Sequence, residues 1–300
     1  MTQWPPPWAA PVATIRLKNA SISDALDDVN APDKVPPVIR LISARRRLII
    51  GHRGFRAIAP ENTLPSFLLA MKADSDLIEL DYRHSKDGVP VVIHDDTPDR
   101  TTDARKRWGR SRIKVADTTA TELQCLDAGS WFGASFAGTK VPLLVEALDT
   151  IHNAGGVALI EHKSGDPETC VRILRDRKLI NRVIIISFDW DYLRAFHELE
   201  PRQALGALGP PARLADGRKT SGISKKFGAA WFDEASRTGA RIIVWNRNVS
   251  AASVKRAHRR GWKVWVYTVN TLKLAHRLLA AGVDGIITDD PAMMRRHLTA

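Results

Sequence analysis

From residue 47 onward the chain alternates short runs of β-branched and aliphatic residues with longer stretches whose apolar positions recur every three or four residues. The short runs fit strands buried on both faces and the longer ones fit amphipathic helices, so their alternation predicts parallel strands joined by crossover helices. Candidate strands fall at 48–52, 77–82, 90–94, 157–161, 183–187, 204–208, 242–245, 264–268 and 285–288. Candidate helices fall at 63–72, 142–154, 167–178, 191–200, 250–260 and 271–281, where Ser250 and Thr271 are placed to cap the last two and Gly261 and Gly282 to end them. Nine strands are one more than an eight-stranded α/β barrel holds, and the loop 85–89, with its Asp87-Gly88 turn, is too short for a helix. The second and third strands are therefore expected to join directly, and 242–245 to be short or marginal. Residues 96–141, which lack a long apolar period, become an insertion after the third strand. A (β/α)8 barrel would place it at the C-terminal face, where active sites are built.

Residues 1–45 break the pattern. WPPPW at residues 4–8, followed by Pro11, Pro32, Pro36 and Pro37, interrupts any helix longer than SISDALDDV. They read as a Pro-rich N-terminal extension, ordered in part at best, before a single domain over 46–300. Cys125 and Cys170 are too few for a disulfide framework and lack metal-ligand spacing. No apolar run approaches a bilayer span, and the start lacks the basic-then-apolar order of an export signal, so a soluble, cytoplasmic protein is expected. The net charge of +12 is concentrated at 45–47, 105–114, 255–260 and 295–296. Such a field favours anionic partners, but no nucleic-acid-binding motif accompanies it, so nucleic acid is not expected. A small phosphate substrate fits it, as does peripheral contact of 105–114 with an anionic membrane.

The candidate chemistry sits where strands end. Glu79 and Asp81, one residue apart in a strand, send both carboxylates to one face, where they repel unless a cation joins them. Glu161 ends another apolar strand, and Lys163 follows it on the same face. Three carboxylates with positions left for water suit a single hard cation, Ca²⁺ or Mg²⁺, and Lys163 can neutralise a phosphate oxygen. His52 and His94 each follow an apolar strand and would reach the same rim, where one imidazole can take a proton while the other gives one. Arg53 offers a fork of donors matched to phosphate, and Gly54 lets the backbone turn beside it. Glu61 and Asn62 either touch substrate or hold Arg53 and its loop. His84, His152, His162, His197, His258, His276 and His297 lack such a setting.

In order along the chain stand HRG with PENT, IELD, DG, HD followed by RTTD, LDAGSWF, VPLLVEAL, EHK, SFD, TVN and GVDGIITDDP. Over residues 48–291 this set resembles the glycerophosphodiester phosphodiesterase family, of the phospholipase C-like phosphodiesterase superfamily. The resemblance implies a TIM (β/α)8 barrel, one divalent metal, and hydrolysis of a glycerophosphodiester to sn-glycerol 3-phosphate and an alcohol. It makes His52 and His94 the acid/base pair, Glu79, Asp81 and Glu161 the metal ligands, and Arg53 and Lys163 the phosphate contacts. Trp131, Phe132 and Tyr267 become candidates to line the pocket beyond the phosphate. Two positions depart from the family pattern: His162 stands where an aliphatic residue is usual, facing away from the site by strand alternation, and Tyr267 stands where Trp is usual.

Competing readings are a lysophospholipase D or cyclising phosphodiesterase, which would act on a lysophospholipid, and an inactive phosphate-binding scaffold. The full set of costly polar residues argues against the scaffold.

Overall fold

The computed structural model describes residues 37–298; the Trp-Pro cluster of the extension lies outside the described residues. In chain order come helix α1 (Pro37–Ser43), strand β1 (Leu48–Gly51), α2 (Leu64–Lys72), β2 (Leu77–His84) and β3 (Pro90–Val92). The short helices α3 (Ala104–Trp108) and α4 (Ala120–Gln124) follow, then α5 (Leu144–Asn153), β4 (Ala158–His162), α6 (Pro167–Asp176), β5 (Ile184–Ser187), α7 (Trp190–Leu199) and β6 (Ala204–Gly209). The chain ends through α8 (Ala229–Ser236), β7 (Ile242–Asn246), α9 (Ala251–His258), β8 (Lys263–Tyr267), α10 (Leu272–Ala280), β9 (Gly285–Thr288) and α11 (Pro291–Leu298).

Strands β1, β2 and β4 to β9 pair in parallel, and β1 pairs with both β9 and β2, which closes an eight-stranded barrel. The strand left over is β3, which pairs antiparallel with the end of β2 through a turn at Gly88 (φ 74°). This corrects the expectation for 242–245: β7 is a full barrel strand, paired along its length with β6 and β8. The Asp87-Gly88 turn leaves β3 no crossover, and without one a strand cannot run parallel to its predecessor.

The period-two alternation of the strands separates two cores. Leu48, Ile50, Leu77, Leu159, Ile184, Ile186, Ile242, Val244, Trp265 and Ile287 point inward and fill the barrel. Ile49, Ile78, Leu80, Tyr82, Ile160, Ile185 and Ile243 point outward against the helices. Helix α1, from the end of the extension, seats fully buried Val38 on the inward cluster at the N-terminal end of the strands. Burial of that side chain stabilises the closure by roughly 1.5–3 kcal/mol.

The insertion has a core of its own, built from Val91, Ile93, Ala104, Val115, Leu123 and Val141. Helix α4 is held by a capping box in which Thr119 Oγ1 accepts from Glu122 N and Glu122 Oε2 accepts from Thr119 N. Helices α8 and α11, of eight residues each, were not among the helices expected from the periodicity. No helix among the described residues is long and apolar enough to cross a membrane.

Candidate active site

The inward series of side chains changes from apolar to polar at the C-terminal end of the barrel. Leu48 and Ile50 are followed by His52, Leu77 by Glu79 and Asp81, Leu159 by Glu161 and Lys163, and Ile287 by Asp289. Strand alternation alone thus aims these groups at one mouth.

At the end of β1 the chain turns sharply. Arg53 (φ 51°) and Gly54 (φ 87°) are both left-handed, and a Cβ on Gly54 would run into the side chain and backbone of Ser66. The turn is pinned to β2 by Arg53 N donating to Glu79 Oε2 at 2.7 Å and Gly54 N donating to the Glu79 carbonyl at 3.2 Å. It leaves His52 at the mouth, its Nδ1 donating to Asp289 Oδ1 at 2.6 Å. Asp289 Oδ2 in turn accepts from Asn270 Nδ2 at 2.8 Å.

His94 follows β3 and is arranged the same way. Its Nδ1 donates to Asp95 Oδ1 at 2.7 Å, and Asp95 Oδ2 accepts from Arg100 Nε at 2.6 Å. A carboxylate on Nδ1 fixes the proton there, so each ring has Nε2 left for chemistry. Burial pushes the His94 imidazole below its ordinary value, against the pull of Asp81.

Between the histidines lie Glu79, Asp81 and Glu161, all buried, each with a carboxylate oxygen within 4.8 Å of the others. Glu79 is pushed well above the usual carboxylate range by burial and by the charges of Asp81 and Glu161. Glu161 is raised to about 7 by burial and Asp81. Asp81 is held low: burial works against its charge, but Lys163, Arg53 and His94 outweigh it. Lys163 Nζ lies 3.2 Å from Asp81 Oδ1 and also pairs with Glu161. Asn62 (φ 59°) grips Asp81 twice, Nδ2 donating to Oδ2 at 2.8 Å and Oδ1 accepting from the Asp81 amide at 3.1 Å. Glu79 Oε1 and Asp81 Oδ1 nonetheless remain buried without a well-directed hydrogen bond. Two orphaned carboxylate oxygens in a cluster of three acids fit a divalent cation, which would satisfy both and remove the mutual repulsion.

Glu61 is placed behind the site. It does not line the pocket; it accepts from Arg53 Nη1 at 2.6 Å and from Arg100 Nη1 and Nη2 at 2.9 and 2.8 Å, with Arg56 Nε at 3.0 Å. Burial would raise its carboxyl, but the pairs with Arg100 and Arg53 hold it down at about 2.

The pocket over the cluster encloses about 320 Å³ and is lined by His52, Arg53, His94, Glu161, Lys163 and Tyr267, above a floor of Ile186, Leu208 and Ile287. Tyr267 donates its hydroxyl to the Gly209 carbonyl at 2.8 Å, which turns the ring side toward the cavity. Trp131 and Phe132 are not part of this lining. They stack edge to face on the insertion, Trp131 Nε1 donating to the Ala128 carbonyl. His162 faces outward as expected, stacked on Tyr192 with ring centroids 3.5 Å apart.

Asp289, Asp95, Arg100 and Asn270 escaped the sequence reading. Asp95 carried a signal, since it directly follows His94. Asp289 could be found only through the strand-end position it shares with His52 at the far end of the chain.

The model of the glycerophosphoryl diester phosphodiesterase family matches residues 52–293. The chain belongs to that family. It is 34% identical over 252 residues to the glycerophosphodiester phosphodiesterase of Caldanaerobacter subterraneus, covering 82% of this chain and 95% of that enzyme. With the glycerophosphodiester phosphodiesterase of Bacillus subtilis it shares 30% identity over 275 residues, 85% of this chain and 88% of the other. Its barrel matches a phosphodiesterase of Oleispira antarctica, solved in complex with the product sn-glycerol-3-phosphate, with a TM-score of 0.73 and 27% identity over 84% of this chain and 97% of that one. The family, the barrel and the phosphoric diester hydrolase class expected from the sequence are borne out.

Proposed function

We propose that this glycerophosphodiester phosphodiesterase family member hydrolyses soluble glycerophosphodiesters to sn-glycerol 3-phosphate and an alcohol, with His52 and His94 as the acid/base pair. The observation that carries this reading is the pair of imidazoles, each anchored at Nδ1 by its own carboxylate, facing a buried cluster of three acids. The Oleispira phosphodiesterase holds sn-glycerol-3-phosphate as its product, which supports the same product here.

Glu79, Asp81 and Glu161 would hold one divalent cation, Ca²⁺ or Mg²⁺. When bound, the cation supplies Lewis-acid stabilisation of charge on the phosphate's non-bridging oxygens. Arg53 and Lys163 bind the phosphate from the pocket wall; Glu61 holds Arg53 in its fork orientation, and Asn62 keeps Asp81 in place. Nε2 of one histidine takes the proton of the nucleophile, either water or the neighbouring glycerol hydroxyl. Nε2 of the other protonates the departing alkoxide. Asp289 and Asp95 stabilise whichever ring becomes imidazolium.

The test is product analysis by ³¹P NMR after incubation with glycerophosphocholine, with lysophosphatidylcholine in parallel. sn-Glycerol 3-phosphate formed with Ca²⁺ or Mg²⁺ and abolished by EDTA is expected. Turnover of the lysolipid alone would favour the lysophospholipase D reading, and a cyclic phosphate product would favour a cyclising enzyme.

A further inference from the structure

The insertion concentrates charge that the catalytic pocket does not use. Residues 104–116 hold six bases and no acid: Arg105, Lys106, Arg107, Arg110, Arg112 and Lys114, half of the chain's net charge of +12. All six are exposed. Arg105 lies 3.5 Å from Asp99, and among the described residues the other five have no carboxylate within ion-pairing distance. Like charges gathered on one segment repel, and an anionic partner removes that cost.

The segment's place is fixed by what surrounds it. Trp108 packs on the small core of the insertion. Arg112 N donates to Asp99 Oδ2 at 2.8 Å and Val115 N to the Asp96 carbonyl at 2.8 Å, so the segment hangs from residues that closely follow His94 and Asp95. The bases therefore stand beside the barrel mouth.

Apolar side chains stand with them. Asp103 N donates to the Asp127 carbonyl at 3.0 Å, and Asp127 N donates to Asp103 Oδ1 at 2.8 Å. Asp127 Oδ1 also accepts from Gly129 N and Ser130 N at 2.8 and 2.9 Å, so the loop bearing Trp131 leaves the insertion where the basic segment begins. Trp131 is 40% exposed, and its Nε1 already donates to the Ala128 carbonyl, which leaves an apolar ring toward solvent. Ile58, 47% exposed, stands on the loop after β1, where Ala57 N donates to the Asp289 carbonyl at 2.9 Å.

We propose that the insertion side of the barrel mouth docks on the headgroup region of an anionic phospholipid bilayer. Phosphates there meet the bases, and the acyl boundary beneath takes Trp131 and Ile58. A nucleic acid would use the bases and could stack on Trp131, but it offers Ile58 nothing. The rim over β4 and β5 has the opposite sign, with Asp166, Glu168, Asp189 and Asp191 exposed. An anionic surface repels that rim, which keeps one side of the mouth open to water for a soluble diester.

The test is co-sedimentation of the full chain with vesicles of phosphatidylcholine alone and of phosphatidylcholine mixed equally with phosphatidylglycerol. The wild type is expected to bind the mixed vesicles, to release them as salt is raised, and to leave the neutral vesicles unbound. Lys106→Ser/Arg107→Ser/Arg110→Ser should lower the partition coefficient about 10²-fold, at about fivefold per base. Lys255→Ser/Arg259→Ser/Lys273→Ser, which removes the same charge from exposed positions on and after α9 and on α10, should lower it far less. Ile58→Ser and Trp131→Ala should each weaken binding about fivefold at unchanged charge. Urea unfolding verifies each variant as folded, and the salt dependence of the wild type needs no variant. Binding is read without turnover, so a failure of the hydrolytic reading leaves it untouched. No preference for the mixed vesicles, or an equal loss in both triple variants, overturns the proposal. So does binding that Ile58→Ser and Trp131→Ala leave unchanged, which would mark attraction to any polyanion.

Discussion

Glu61 is 4% exposed and sits among three guanidinium groups, so its replacement by Gln should expose how much the site's charge network contributes to folding. Its carboxyl is held at about 2 against an ordinary value of 4.5, because the pairs with Arg100 and Arg53 outweigh burial. A depressed acid stabilises the fold fully above its unfolded value, and that stability is lost as pH falls through the folded value. The difference of about 2.5 units corresponds to roughly 3.4 kcal/mol at pH 7, falling to about 1.4 kcal/mol at pH 3. The change between the two pH values is the quantity to follow. Urea unfolding of the wild type and Glu61→Gln at both pH values measures it, because titrating groups that share no partner with Glu61 act equally in both proteins and cancel in the difference. The expected gap narrows by about 2 kcal/mol on acidification. A gap that stays constant would show that the ion pairs of Glu61 add nothing beyond shape. At pH 7 the variant should also bind substrate more weakly, since Arg53 loses the acceptor that fixes its fork.

Asp289→Asn and Asp95→Asn should each lower kcat on the order of 10²-fold or more with little change in KM, because an amide can donate to Nδ1 and drive the proton onto Nε2; steady-state kinetics on glycerophosphocholine checks both. Gly54→Ala places a side chain at φ 87° against Ser66 and should cost about 2 kcal/mol or more in urea unfolding. Val38→Ala should cost about 1 kcal/mol or more by opening the N-terminal end of the barrel, read from the same unfolding curves.

What the chain reveals before folding divides along contact range. His52, Glu79, Asp81, Glu161 and Lys163 were legible because each continues the inward series of its own strand, and a strand's period of two needs no tertiary information. Asp289 continues the series of β9 in the same way, but its role stayed hidden because its bond to His52 spans 237 positions and only barrel closure brings β9 beside β1. Arg100 was hidden for a related reason: it belongs to the insertion, whose small core gathers residues from Val91 to Val141 that show no single period. The strand count was read correctly and its odd member was not. β7 looked marginal as a short run, yet a strand of five residues suffices when both edges are paired, whereas β3, expected to join β2 without a helix, is left out of the barrel by that same short turn. Glu61 was visible as a loop acid that could hold Arg53; its burial against Arg56 of the same loop and Arg100 of the insertion was not.

The two histidines carry the proposed hydrolysis. Turnover of glycerophosphocholine by His52→Ala and His94→Ala, each verified as folded and assayed with Ca²⁺ or Mg²⁺ present, measures their role. Each variant is expected to lose roughly 10² to 10⁴-fold in kcat, the contribution of a positioned general acid or base. Near wild-type turnover by either variant would contradict the mechanism.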